Sequence, residues 1–152
     1  MYDLVLALHN VVRWIVLIFG VLAIVSAYRG WFGGRAWTEL DRRFGVFFGS
    51  AMDTQLLLGL ILYIFLSPLT TAMLRNFALA QSNPQTRFFG IEHILLMLVA
   101  VALVHMGSVM SRKPADDVAK HRTAAIYYSL AVVVILIAIP WWRPLFPGLG
   151  GF

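Results

Sequence analysis

The chain has 152 residues, of which 61% are hydrophobic, and it contains no cysteine. Soluble domains are about 45–50% apolar, so this excess indicates helices that face lipid or one another. The absence of cysteine excludes disulfides, iron–sulfur clusters, thiolate zinc sites and haem attached through cysteine. The net charge of +5 does not indicate nucleic-acid binding, because the basic residues fall in short loops between apolar runs, where membrane topology signals belong.

Four apolar runs follow one another along the chain. They predict transmembrane helices over about residues 4–28, 44–66, 88–111 and 119–140, since a membrane span requires ~20 residues. Short connections favour antiparallel neighbours. The predicted fold is therefore all-α, a single integral membrane domain over residues 1–152 that forms an up-down-up-down four-helix bundle.

Two segments outside these runs carry weaker signals. Residues 69–80, LTTAMLRNFALA, are moderately amphipathic and predict a short helix that lies at the membrane interface. The Trp141-Trp142 pair is typical of the aromatic belt at a membrane surface. The Pro- and Gly-rich tail, residues 144–152, is expected to be irregular.

The basic residues predict the orientation in the membrane. Loops one and three lie on one side and hold eight Lys or Arg residues: Arg29, Arg35, Arg42, Arg43, Arg112, Lys113, Lys120 and Arg122. The opposite side holds three: Arg75, Arg87 and Arg143. By the positive-inside rule, both termini are expected outside and loops one and three in the cytoplasm.

Histidines stand inside the apolar runs, where ionisable groups are expensive and mark functional sites. His9 begins helix one and His93 begins helix three, so both are expected in the outer half of the bundle. His105 follows His93 by twelve residues, about 18 Å along a helix, and His121 begins helix four. The four histidines therefore form an expected outer pair and an expected inner pair.

The outer pair lies on faces of small residues, which mark the sides where membrane helices approach closely. The face of His93 continues through Ala100, Gly107 and Ser111, and that of His9 continues through Gly20, Ala23 and Ala27, with Arg13 one turn on. Both histidines are thus expected to point into the bundle. Two facing histidines can hold haem b without a covalent bond. Close helix packing without a cofactor explains the same pattern, and the residues alone leave both alternatives open.

The inner pair is a weaker candidate. His105 is about 120° around the helix from His93, so a second haem is not expected. His121 lies between Lys120 and Arg122 and is expected to be a solvated interface residue. Asp53 has a depth comparable to that of His105. It is expected to pair with a cytoplasmic-side basic residue or with His105, and a proton-accepting site is the alternative.

Other roles for the outer cluster stay open. His9, Arg13, Glu92 and His93 could form a structural hydrogen-bonded cluster. His9 and His93, with Glu92, could instead bind a metal, because imidazole and carboxylate suit zinc or iron. Glu92 could also be an interface residue at a helix start, where a negative charge meets the positive end of the helix dipole.

Several segments resemble a known family. HNVVRWIVL, QLLLGLILY, RFFGIEHILLMLVAVALVH, KHRTAAIYY and IPWW are similar to segments of small bacterial four-helix membrane proteins labelled cytochrome b or cytochrome-b-like. The resemblance implies a bacterial cytoplasmic membrane and a haem b whose axial ligands are His9 and His93. It further implies Arg13 as a propionate partner and His105 as a secondary cofactor-binding candidate.

Two functions are expected from these features. The first is an electron carrier that exchanges electrons with quinol or with larger membrane-complex subunits. The alternative is a non-catalytic accessory subunit of a respiratory or photosynthetic membrane complex without its own cofactor. Enzyme activity is less expected, because the sequence contains no nucleophile–base pair, phosphate loop or metalloenzyme motif.

Overall fold

The computed structural model describes residues 1–143, except the side chain of Gln81, and all the regular structure in these residues is helical. The helices are α1 Tyr2–Gly33, α2 Glu39–Leu66, α3 Pro68–Arg75, α4 Ala78–Ser82, α5 Pro84–Met110 and α6 Asp117–Ala138. Four of them, α1, α2, α5 and α6, are long and apolar enough to cross a membrane. The all-α prediction is confirmed. The tail that is expected to be irregular, residues 144–152, lies outside the described residues.

The four long helices form a ring in which α1 and α5 each contact both α2 and α6. Neighbours are antiparallel. Ser26, late in α1, donates a 2.5 Å hydrogen bond to Asp41 at the start of α2, whereas His9, early in α1, packs against Gly59 near the end of α2. Helices α1 and α5 are therefore diagonal partners, and a side chain on one meets the other across the middle of the bundle.

The long helices begin earlier than the hydropathy of the sequence predicts. Thr38 caps α2 through a reciprocal capping box with Asp41, so this helix starts at Glu39. The carboxylate of Asp116 caps α6 in the same way, by accepting two backbone N–H groups. Apolar runs mark the part of a helix that faces lipid or core, whereas polar caps in the adjoining loops set where the helix begins.

The connection between α2 and α5 lies at one end of the bundle. The helix expected over residues 69–80 is present as two pieces, α3 and α4. They are separated at Asn76, whose side-chain oxygen accepts the N–H of Ala78. A π-helical turn ends α2 at Leu62–Leu66 and another occupies Phe88–Glu92 in α5. The Tyr63 hydroxyl joins the two turns by donating a 2.8 Å hydrogen bond to the Gly90 carbonyl.

At the opposite end the helices pack closely through small residues. A Cβ added at Gly107 would lie 2.7 Å from the Tyr128 ring, which is closer than real contacts allow. Ala23 and Ala27 of α1 are 3% exposed, and Ala100 of α5 is fully buried. The small-residue faces predicted on helices one and three therefore do point into the bundle.

His121 differs from its predicted position. It was expected to be solvated, but its side chain is completely buried. The cap at Asp116 extends α6 through this region, and His121 faces α1 at Gly30, where a Cβ would overlap the imidazole. The ring of Trp37 covers it from the side, at a centroid distance of 4.8 Å. The charges of Lys120 and Arg122, which flank His121 in the sequence, do not indicate that its side chain faces the inside of the bundle.

Gly30 and Gly33 form a matched pair for testing this packing. Gly30→Ala would place a methyl group against the buried His121 ring and is expected to cost about 1–3 kcal/mol through overpacking. Gly33→Ala meets no atom within 4 Å and gains helix propensity, so its stability should be unchanged or slightly higher. Thermal unfolding in detergent checks both. Equal melting temperatures for the two variants would contradict this close contact.

Candidate functional site

A cavity of about 1010 Å³ opens between the helices at the end where α1 begins and α6 ends. Its size is at the upper end of the range for small-molecule and cofactor pockets, about 300–1,000 Å³. All four long helices contribute to a mostly apolar wall, which includes Val16, Met52, Met97 and Ile135. A large apolar cavity with a few polar groups is the usual form of a binding site.

His9 and His93 meet inside this cavity. They come from the diagonal helices α1 and α5, and their ring centroids are 6.4 Å apart, with an angle of 65° between the ring planes. The two residues predicted as an outer pair are thus brought together. Both residues line the cavity.

The ring of His93 is oriented by the end of α6. Its Nδ1 lies 2.8 Å from the backbone carbonyl of Ala138, the last residue of that helix. Helix-terminal carbonyls need partners from outside the helix. Because a carbonyl can only accept, Nδ1 must carry the proton, and Nε2 of the neutral ring then carries a lone pair. This nitrogen is free to bind a metal.

His9 packs on a glycine of α2. A Cβ at Gly59 would come within 3.3 Å of its Cε1 atom, so the absence of a side chain there makes room for the imidazole. The Gln55 carbonyl lies near the ring. Within residues 1–143, however, neither the buried Nδ1 of His9 nor the buried Oε1 of Gln55 makes a hydrogen bond. The residues His9 and Gln55 both line the cavity next to α2.

Two arginines add positive charge to the cavity. Arg13 is only 7% exposed and lines the cavity. Arg143 also lines it, with its guanidinium 4.5 Å from the centre of the Phe89 ring. Asp3 is the one acidic residue among the described lining residues. The balance of charge favours a ligand that carries an anionic group.

The sequence did not single out Arg143 for this site. The Trp-Trp-Arg motif was interpreted as an interfacial belt, and the two tryptophans are indeed more than half exposed. Helix α6 ends just before Pro140, and the chain then brings Arg143 back to the cavity. Pro140 was the residue in the sequence that could have indicated this position of Arg143, because it ends the helix at the depth of His93.

Glu92 does not join the histidines. Its carboxylate accepts a 2.8 Å hydrogen bond from Arg87, its side chain is 43% exposed, and it does not line the cavity. Across the described residues, no three His, Cys, Asp or Glu side chains form a metal-binding group. A site of His9, Glu92 and His93 is therefore not assembled, and Glu92 is a surface ion-pair residue.

His105 lies away from the cavity. Its Nε2 is 2.7 Å from Oδ1 of Asp53, so the predicted alternative in which these two residues pair is confirmed. His121 is not among the lining residues either. Its neighbours, Gly30 and Trp37, differ from those of His105. The two inner histidines therefore do not repeat the arrangement of His9 and His93.

No family model, no curated protein and no solved structure matches the chain. The resemblance to cytochrome-b-like proteins therefore stays a prediction from the short motifs. The geometry of the cavity is an independent observation. It provides two imidazoles on opposite walls, two arginines and an apolar surround.

The hydrogen bond to Ala138 predicts the tautomer of His93. In haem-free protein labelled with ¹⁵N-histidine, this residue should be protonated at Nδ1 and unprotonated at Nε2, because the carbonyl can only accept. The ¹⁵N chemical shifts report each nitrogen directly. His93→Gln identifies the signal by removing it. A signal from an Nε2-protonated ring at this position would contradict the hydrogen bond.

Proposed function

We propose that the chain is a membrane-spanning b-type cytochrome that carries electrons, with haem b bound in the cavity through His9 and His93. The observation that carries the proposal is the distance between the two imidazoles. A metal held by one nitrogen of each ring, at about 2 Å from each, would place the two ring centroids about 6 Å apart. The centroids lie 6.4 Å apart, and both residues line the cavity.

The rest of the cavity fits the same group. Its volume of about 1010 Å³ and its apolar wall suit a large flat macrocycle, and Arg13 and Arg143 suit the carboxylates at the edge of a haem. Arginine binds carboxylates with paired, charge-assisted hydrogen bonds. When bound, haem b supplies one-electron redox chemistry at its iron.

The protein residues hold and tune such a group. The Ala138 carbonyl accepts a hydrogen bond from Nδ1–H of His93, which fixes the ring orientation and makes the other nitrogen a stronger ligand. Gly59 gives the His9 ring its place against α2. The apolar wall, from residues such as Met52 and Ile135, keeps water away from the metal position.

The proposed setting is the cytoplasmic membrane of a bacterium. Helices α1, α2, α5 and α6 would span the bilayer, with both termini outside, as the excess of Lys and Arg in loops one and three favours. The cavity would then lie in the outer half. Quinol or subunits of a larger membrane complex would be the redox partners, in addition to the surrounding lipid.

Haem binding is tested by the absorbance of purified protein reconstituted with haem b. The wild-type protein should show a reduced-minus-oxidised b-type spectrum. His9→Ala and His93→Ala should each remove its low-spin bis-histidine signature, because each deletes one axial ligand. His105→Ala serves as the control, since this histidine lies outside the cavity and its loss should leave the spectrum unchanged.

Two outcomes would contradict the cytochrome proposal. The first is the absence of haem absorbance after full reconstitution, and the second is an unchanged spectrum in both ligand variants. If haem-free protein also co-purifies stoichiometrically with larger subunits from native membranes, the alternative function as an accessory subunit is supported instead.

The arginines are tested by haem titration. Arg13→Gln and Arg143→Gln should each weaken haem affinity about tenfold or more, since a hydrogen bond to a charged group contributes about 1.5–3 kcal/mol. Arg122→Gln, an exposed residue in α6, is the control and should leave the affinity unchanged. Unchanged haem affinity in both cavity variants would show that the arginines do not contact the cofactor.

A further inference from the structure

The Asp53–His105 pair lies on the outside of the bundle, between α2 and α5. Its two side chains are joined by a 2.7 Å contact, yet they are 54% and 49% exposed. Gly49, one turn before Asp53, is the α2 residue beside the imidazole, and a Cβ there would make only ordinary contact with Cε1 of His105, at 3.8 Å. The pair thus faces the surroundings of the protein and not its core.

In the membrane placement proposed above, these surroundings are hydrocarbon. Asp53 follows Arg43 by ten residues, roughly 15 Å along α2, and His105 precedes Arg112 by seven residues, roughly 10 Å along α5. The hydrocarbon core is about 30 Å thick, and basic residues typically mark its cytoplasmic boundary. An ionisable pair at this depth needs polar partners.

We propose that Asp53 and His105 form a binding site for the head group of a lipid-soluble quinol or quinone, which reaches it laterally from the bilayer. Nε2 of His105 and Oδ1 of Asp53 are engaged with each other. The second ring nitrogen and the second carboxylate oxygen remain. They can meet a hydroxyl or carbonyl group, which are the polar groups of this ligand class.

Depth and surroundings select this class of ligand. The charged head groups of ordinary lipids stay in the interfacial region, too far from the pair to reach it. Leu57, one turn after Asp53, and Leu98, two turns before His105, are 60% and 45% exposed. They provide an apolar surface against which the ring and tail of a quinol can pack. A quinol combines an apolar body with hydrogen-bonding groups.

The neighbouring polar residues do not compete for this role. The Thr54 hydroxyl donates to the Ser50 carbonyl of its own helix at 2.9 Å, so its donor is already used. Thr54 is exposed and adjacent to Asp53. It therefore provides a control position with the same depth and a similar environment.

The proposed site is separate from the haem cavity. His105 lies about 18 Å along α5 from His93 and does not line the cavity. The quinol site shares the membrane placement of the proposed function but does not need haem to bind its ligand. His9→Ala should therefore lose the haem spectrum and keep the quinol site. A failure of the haem proposal can thus be told apart from a failure of the quinol proposal.

Photolabelling tests the proposal. Purified protein, loaded with haem b in phosphatidylcholine nanodiscs, is irradiated with an azidobenzoquinone that carries a decyl tail, and the labelled peptides are mapped by mass spectrometry. Labelling is expected in the parts of α2 and α5 around Asp53 and His105, and excess decylubiquinol should suppress it. Asp53→Leu with His105→Leu should lower it about tenfold or more, the loss expected from one or two hydrogen bonds.

The controls make the result specific. Thr54→Val and His9→Ala should label like the wild-type protein. If the double variant fails to fold, Asp53→Leu alone replaces it and should also lower the labelling, because it removes both carboxylate oxygens. Equal labelling in the wild-type and pair variants would show non-specific partitioning and overturn the proposal. A wild-type dimer that dissociates on Asp53→Leu would also overturn it, because a second copy would then cover this face.

Discussion

The hydrogen bond between Nδ1 of His93 and the carbonyl of Ala138 connects the features on which the cavity depends. It joins the start of the apolar part of α5 to the end of α6. Helix α6 ends at Ala138, two residues before Pro140, so this carbonyl has no partner within the helix and is available to His93. One contact thus connects the helix end, the orientation of the imidazole and one wall of the cavity.

The helices are closely packed at one end of the bundle and enclose a cavity at the other. Near the connection of α1 to α2, glycines let large rings lie directly on a neighbouring backbone, as His121 does at Gly30 and Tyr128 does at Gly45 and Gly107. Near the start of α1, the same ring of helices encloses a cavity of about 1010 Å³. Close packing in one half holds the helices in place, so the other half can stay open. Close packing and open space, which exclude one another at any one depth, are here separated along the bundle axis.

The sequence predicted the features that depend on periodicity. Apolar runs located the four long helices, and the small-residue faces correctly turned His9 and His93 inward. It did not predict features that depend on where the chain goes after a helix ends. Arg143 reaches the cavity because the chain turns back after Pro140, and His121 is buried because it lies on the face of α6 that packs against Gly30 of α1. Both outcomes come from contacts between segments distant in sequence, which hydropathy and local charge do not encode.

The π-helical turn at Phe88–Glu92 is a position where one residue could be gained or lost without moving His93. A π turn corresponds to one residue inserted into an α-helix, and one residue rotates a helical face by about 100°. Loss of a single residue there would turn the preceding segment, which includes Arg87 and α4, around the helix axis and leave His93 in register. An insertion or deletion at this turn would therefore change how the connection from α3, whose Leu69 and Thr70 line the cavity, meets α5, while His93 stays in register.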